Sequence, residues 1–383
     1  MRIMQGVVTA MWKQLIFTAA CCGGALSAQA APFPVHDLDA LGMGGVGVAT
    51  ANSYASFMNP ALLASEKRVG KRFNVHLPLA LIEDDPDNLK STLDDFQRAA
   101  KTNDTAQFAP LLTRMEGKEL TLDYFGGMAA TLRDAAGNMR VFLSSYSLTT
   151  ARMNIDPADK TTGAPGSFAS TANVQGVSLF EIGMAYADIV DLGERDNIFT
   201  SGRLLVGVAP KVIVGKSHDE TYNIEEADLS GFYGEGKTSN KLNLDLGVAK
   251  EWGRFWTLGL TAKNLIPHTF RTDTGKEYKL GGQLRLGGAR HGRFYTAAFD
   301  VDVIPNSALG LIPRSQQLGV GLEFEIGRTL RLRGGYGIDL QGNLPDNYAV
   351  GLGLVSEYLH FNLAGLGNEN GFTGLAMQMS VGF

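Results

Sequence analysis

The chain has 383 residues, of which 47 are glycine and 19% are charged, with a formal net charge of −5 at pH 7. A mean hydropathy of −0.02 is too polar for a helical membrane protein, the glycine content is too high for an ordinary helical enzyme, and the acidic balance offers no basic field for nucleic acid. The two cysteines, Cys21 and Cys22, both fall in the leader described next, which excludes disulfides, thiolate metal sites and a Cys-x-x-Cys redox pair from the rest.

Residues 1–30 read as an export signal, with basic Arg2 and Lys13, an apolar run and Ala28-Gln29-Ala30 as a small-residue cleavage site. The apolar run is shorter than the roughly 18 residues that span a bilayer as a helix. Residues 31–70 follow as small, polar and glycine-rich chain with Gly42, Met43, Gly44, Gly45 and Gly47 near its middle and Asn59, Pro60 and Ala61 further on. So few large apolar side chains cannot build a core, so the segment is predicted to fold inside something else as a plug. Gly42-x-Gly44-x-x-Gly47 has dinucleotide-fingerprint spacing, but a fingerprint follows a buried strand, and here Pro32, Pro34, His36, Asp37 and Asp39 precede it.

Residues 72–82 alternate Phe73, Val75, Leu77 and Leu79 against Asn74, His76 and Pro78, which predicts a strand. The pattern breaks over 84–120. Leu89, Leu93, Phe96 and Ala100 recur at helical spacing after Asp85, and a second, shorter helix around Phe108, Leu112 and Met115 is disturbed by Pro110. Such an insert suggests a lid or a docking element. From there the period is two almost throughout, as in Leu242, Leu244, Leu246 and Val248, in Tyr278, Leu280, Leu284 and Leu286, and in Leu318, Val320, Leu322, Phe324 and Ile326. About fourteen segments of roughly ten residues each match what a tilted strand needs to cross a bilayer. Connections alternate between tight turns and long loops, which is the parity of an outer-membrane barrel. The expected fold is all-β, a transmembrane antiparallel barrel over 71–383 with the plug at 31–70 and the helical insert at 84–120. Tyr124, Tyr186, Trp252, Trp256, Tyr278 and Tyr348 are candidates for interfacial girdles.

Opposite the greasy faces lie charges of both signs: Lys241, Asp245, Lys263, Lys279, Arg285, Asp300, Asp302, Glu323, Glu325, Arg331 and Arg333. Facing lipid, each would cost a few kcal/mol near the midplane, so they are assigned to the lumen. There they serve either as a polar conduit and plug-binding surface or as a structural network of paired charges. The final segment, Thr373, Leu375, Met377, Met379, Val381 and Phe383, is like the C-terminal signal read by barrel insertion machinery. The six histidines have no metal-ligand spacing, no nucleophile, base and orienting acid can be nominated together, and neither enzyme activity nor a cofactor is expected.

Gly42 to Ala49 together with Asn59, Pro60, Ala61 and Leu62 resemble the TraF-like conjugal transfer proteins, and more distantly the FadL-type outer-membrane barrels, whose N-terminal hatch carries an Asn-Pro-Ala motif. The first resemblance implies an outer-membrane accessory of plasmid conjugal transfer that meets conjugation or secretion machinery. The second implies uptake of fatty acids or other hydrophobic small molecules, for which Phe96, Phe108, Leu111, Leu112 and Phe168 would supply an apolar pocket in the first two long loops. A soluble exported β-protein is the third alternative, because a half-buried antiparallel sheet shows the same period.

Overall fold

The structure is a computed structural model that describes residues 35, 37–50, 57–65, 72–134, 137–190, 202–229, 236–306 and 312–383. The expected export signal with Cys21 and Cys22, parts of the expected plug (31–34, 36, 51–56 and 66–70) and the expected 191–197 turn lie outside the described residues. The strands are β1 (Phe73–Asp84), β2 (Glu119–Asp134), β3 (Gly137–Asn154), β4 (Thr171–Val190), β5 (Arg203–Asn223), β6 (Lys237–Trp252), β7 (Trp256–Lys263), β8 (His268–Arg271), β9 (Glu277–Leu280), β10 (Gln283–His291), β11 (Tyr295–Asp302), β12 (Gln317–Ile326), β13 (Leu330–Asp339), β14 (Asn347–Val355), β15 (Leu359–Asn368) and β16 (Gly371–Gly382). Fourteen of them close into one antiparallel barrel in chain order, with β16 pairing back to β1, while β8 and β9 form a separate hairpin. Closure from Asn74↔Gly382 to Ile82↔Gly374 leaves the barrel itself without an edge strand, which lipid requires because it offers no hydrogen bonds.

Along each strand, exposed apolar residues alternate with buried polar or small ones. Leu242 is 71% exposed and Val350 64%, whereas their neighbours Asn243 and Ala349 are 4% and 3% exposed. Such a belt runs round the wall through Leu81, Val141, Ile182, Leu260, Val320, Leu352 and Leu375. A soluble sandwich would bury these side chains; a barrel in lipid presents them. Exposed Phe255, Trp256, Phe294, Tyr358 and Phe383 cluster at the end that carries the short connections 253–255, 292–294, 327–329 and 356–358. The opposite end carries the longer ones, among them 85–118, 155–170 and 264–282, with the two-residue link 369–370 as a short exception.

The wall is uneven in height. β2 to β5 have 16, 18, 20 and 21 residues, well beyond the roughly ten that cross a bilayer, whereas β10 to β16 have 8 to 12. The tall strands therefore stand above the membrane, and their upper outer face is too apolar to meet water. Helices α2 (Leu89–Thr102) and α3 (Phe108–Met115) cover it, burying Leu93, Phe96 and Leu112 against outward-facing Leu120, Ala151, Met153, Ala172 and Val174. The Asp85 carboxylate accepts from the amides of Leu89 at 2.6 Å and Lys90 at 3.0 Å and so closes the start of α2. Pro110 lies in the first turn of α3, where its missing N–H costs nothing, so it does not disturb that helix. The helical insert is thus an outer buttress, which corrects the reading of it as a lid.

The element that does enter the mouth is the β8–β9 hairpin. Phe270, Tyr278 and Leu280 are buried among inward-facing Val177, Leu179 and Ile213, and the Tyr278 hydroxyl donates to the His218 carbonyl at 3.0 Å. Burial pushes that hydroxyl well above the ordinary tyrosine range. Tyr278 is therefore neither a girdle residue nor part of the strand that holds Leu284 and Leu286, which corrects both expectations.

Candidate functional site

The described part of the N-terminal segment lies inside the barrel. A single helical turn, α1 (Leu38–Leu41), is capped by Asp37, whose carboxylate accepts from the Asp39 amide at 3.0 Å. Gly44 and Gly45 then turn the chain with φ of 74° and 85°. No buried strand precedes them among the described residues, so these glycines serve a turn and not a dinucleotide fingerprint. The second half is organised by Asn59. Its Oδ1 accepts from the Ala61 amide at 3.0 Å, capping a 3-10 helix (Pro60–Ala64), with Pro60 at the first position, which suits its fixed φ and missing N–H. Its Nδ2 donates to the Val48 carbonyl at 3.0 Å and the Val248 carbonyl at 3.2 Å, joining both halves of the segment to β6. Leu62 and Leu63 then fill a patch of small residues, Ala185, Ala187, Ala209 and Ala249.

Charge fixes the other side. The Arg333 guanidinium bridges Asp39 at 2.9 Å and Glu323 at 2.6 Å and donates to Asn362 Oδ1 at 3.0 Å. Asp300 Oδ2 accepts from the amides of Gly47 at 2.7 Å and Val48 at 3.0 Å. Arg285 pairs with Asp302 at 2.6 Å and donates to the Gly45 carbonyl at 3.4 Å. Lys211 pairs with Glu181 at 3.0 Å and Asp245 at 3.1 Å, and Arg331 with Glu325 at 3.1 Å. Lys263 is buried on the same inner face, and Lys241 stands on it further up β6. The paired charges thus divide into a set that grips the segment (Arg285, Asp300, Glu323, Arg333) and a set that pairs within the wall (Glu181, Lys211, Asp245, Glu325, Arg331). Lys279 belongs to the hairpin and not to the wall.

Close approach completes the grip. A Cβ on Gly335 would stand 2.0 Å from the Met43 carbonyl carbon, one on Gly247 2.0 Å from Asn59 Oδ1, one on Gly259 2.2 Å from the Val48 oxygen, and one on Gly207 2.4 Å from the Ala61 nitrogen. Inward glycines of β5, β6, β7, β12 and β13 therefore form a track on which backbone lies against backbone. Sequence reasoning missed this track, although glycine at inward positions on successive strands was the available signal.

Above the segment a cavity of about 690 Å³ remains. Its floor is Val35, Leu41, Gly44 and Gly45; its walls include Ala80, Ile82, Asp123, Phe125, Tyr146 and Leu148 on one side and Arg285, Ile312, Gln317 and Leu344 on the other. Phe96, Phe108 and Phe168 come together with ring centroids 5.0 to 5.9 Å apart, with Leu111 and Leu112 beside them, but as the packed core of the outer buttress. None of the five lines the cavity, because their side chains are covered by one another and by the outer wall. Phe383 sits on the rim, where its amide donates to the Phe73 carbonyl at 2.8 Å and the two rings lie 6.1 Å apart. Among the described residues no group of three or more His, Cys, Asp or Glu is placed to hold a metal.

No curated protein matches the chain in sequence. Among solved structures it is similar to the Pseudomonas putida toluene transporter TodX, with a TM-score of 0.51 and 12% identity over 94% of this chain and 99% of that one. It is also similar to a TodX deltaS2S3 mutant monoaromatic hydrocarbon channel, with a TM-score of 0.53 and 12% identity over 90% and 97%. These likenesses show the FadL-type fourteen-strand barrel fold. A family model described as "F plasmid transfer operon, TraF, protein" matches residues 56–302, and the chain belongs to that TraF family.

Proposed function

We propose that this protein is a non-enzymatic outer-membrane barrel, stopped by its own N-terminal segment acting as a hatch, that serves plasmid conjugal transfer as an accessory of the envelope machinery. The observation that carries the stopper is the Arg333 bridge between Asp39 on the segment and Glu323 on the wall, with Asn59 and Asp300 closing the remaining backbone groups. The conjugal role draws its support from the family. Partners of the transfer or secretion machinery would meet the short-turn rim, where Phe255, Phe294 and Tyr358 are exposed, or the outer buttress. Phe383 would serve the barrel assembly machinery as part of its recognition strand, and residues 1–30 would direct export.

Envelope fractionation with boiled and unboiled gel samples tests the barrel, and a deletion of residues 31–70 tests the stopper. The expected result is an outer-membrane protein that runs faster unboiled and conducts ions only when 31–70 is missing. Loss of mating in a null strain, restored by the full chain, tests the conjugal role. A soluble periplasmic protein with no heat-dependent shift would overturn the whole reading.

A second reading is favoured by one observation, the 690 Å³ cavity with its largely apolar wall. In it the barrel binds a hydrophobic small molecule at its outer end; two solved structures that it resembles are named as a toluene transporter and a monoaromatic hydrocarbon channel. Labelled toluene retained by the protein in nanodiscs, and displaced when Leu41 or Leu148 is changed to a charged residue, would be the expected sign.

A further inference from the structure

The cavity carries one carboxylate that has no partner among the described residues. Asp123 stands on the inward face of β2, with Ile82 opposite it on β1 and Leu148 opposite it on β3, so both lateral neighbours are aliphatic. Two residues further down the same face is Phe125, which is paired across with Tyr146. Among the described residues Asp123 takes part in no hydrogen bond and no ion pair, and it borders the cavity.

The other charged groups on the cavity wall are all engaged. Glu119 pairs with Arg152, Arg285 with Asp302 at 2.6 Å, and Asp84 accepts from Asn368 Nδ2 at 3.0 Å. The cavity therefore has a largely apolar wall, two aromatic rings and, among the described residues, one carboxylate with neither a hydrogen bond nor an ion pair. A carboxylate withdrawn from water without a partner is costly, and a cation that arrives with its own apolar body removes that cost. Aromatic faces beside a carboxylate are also the surroundings that favour an ammonium group, through the ring quadrupole and charge-assisted hydrogen bonds. An anionic amphiphile would meet repulsion at the same place.

We infer that the cavity is a binding site for a cationic amphiphile, an amine on an apolar or aromatic body, with Asp123 as the counter-ion. The inference rests on the small-molecule reading of the cavity and adds the sign of the ligand's charge. Binding of phenylbutylammonium, phenylbutanol and phenylbutanoate to the full chain in lipid nanodiscs, followed by calorimetry, tests it. The expected order is ammonium, alcohol, carboxylate, with the ammonium ahead of the alcohol by roughly tenfold to a hundredfold. Asp123→Asn is expected to remove that preference while leaving the alcohol's affinity in place, and Asp123→Glu to retain it. If the alcohol binds as tightly as the ammonium in the unaltered protein, the counter-ion inference is overturned and the small-molecule reading stands. If none of the three binds, the small-molecule reading falls too. An ammonium preference that survives Asp123→Asn would overturn the assignment to Asp123. The order measured in the unaltered protein decides the matter even if a variant does not fold.

Discussion

The barrel wall is packed from both sides, and the two sides are built differently. Outside, α2 and α3 lay an amphipathic face over Leu120, Ala151, Met153 and Val174, a contact made mainly of interchangeable apolar atoms, with Gln97 donating to the carbonyls of Ile224 and Ala227. Inside, the N-terminal segment is held to β6, β11 and β13 by directed bonds and by glycines that let backbone touch backbone, while on β4 and β5 its Leu62 and Leu63 and the hairpin's Phe270 rest on apolar side chains, with Tyr278 donating to the His218 carbonyl. An outer face that rises out of lipid needs covering by something greasy, whereas a polar lumen can be filled only by groups that satisfy its donors and acceptors. The outer contact should therefore tolerate change without opening the barrel, and the inner one should not.

Gly335→Val is the severest test of that contrast. Even the first side-chain carbon meets Met43 and Gly44 backbone at 2.0 and 2.2 Å, and neither can move aside as a rotamer would. Displacement of the segment is expected, read as steady ion conductance in planar bilayers from a barrel that still runs faster unboiled. A closed barrel would mean that the glycine track does not set the segment's position. Arg333→Ala comes next. It leaves Asp39 and Glu323, which are 5% and 0% exposed, without their cation, at a cost of about 3–5 kcal/mol. The temperature at which the unboiled band is lost should fall, and intermittent conductance should appear.

A matched pair sharpens the comparison further. Phe96→Ala and Phe270→Ala each remove a phenyl ring buried to within 2% of full cover, for about 3–5 kcal/mol of local packing. Only the readouts differ. Phe96→Ala should expose 85–118 to limited proteolysis and leave conductance unchanged. Phe270→Ala should leave 85–118 protected and widen the mouth, seen as faster exchange of the Tyr278 amide. If both variants loosen the same residues, inside and outside are one packing unit and the contrast is lost.

Much of this arrangement was legible in the chain. Period-two alternation from Phe73 onward, with Leu242 and Val248 on one face and Asn243 and Asp245 on the other, located the barrel because lipid and lumen impose opposite demands on adjacent residues. The hairpin was hidden by the same rule. Gly281 and Gly282 separate Leu280 from Gln283, and a two-residue break keeps the parity, so Tyr278 and Leu284 read as one strand although they belong to different sheets. The side on which 85–118 docks could not be read either, since amphipathic spacing shows that a helix has a greasy face and not which wall it meets. Asp123 went unnoticed because it looks like any other inward charge; its distinction is the lack of a partner, which only the registers with Ile82 and Leu148 bring out.

The smallest effect expected is also the most specific. Asn59→Ala removes the cap of the 3-10 helix and the two bonds from Nδ2 to the Val48 and Val248 carbonyls. Loss of the cap costs about 1 kcal/mol, and each neutral hydrogen bond adds a similar amount at most. That is too little to expel a segment still gripped by Arg333 and Asp300, so conductance should remain closed on average. The change should appear as brief openings and as faster hydrogen exchange at Ala61, with no change at α2. Asn59→Asp separates the two roles: it keeps the acceptor for Ala61 and loses both donors, while its charge would face two carbonyl oxygens. If Asn59→Asp behaves like the unaltered protein, the cap alone matters and the bridge to β6 is incidental. If it is as loose as Asn59→Ala or looser, the amide holds the segment to the wall.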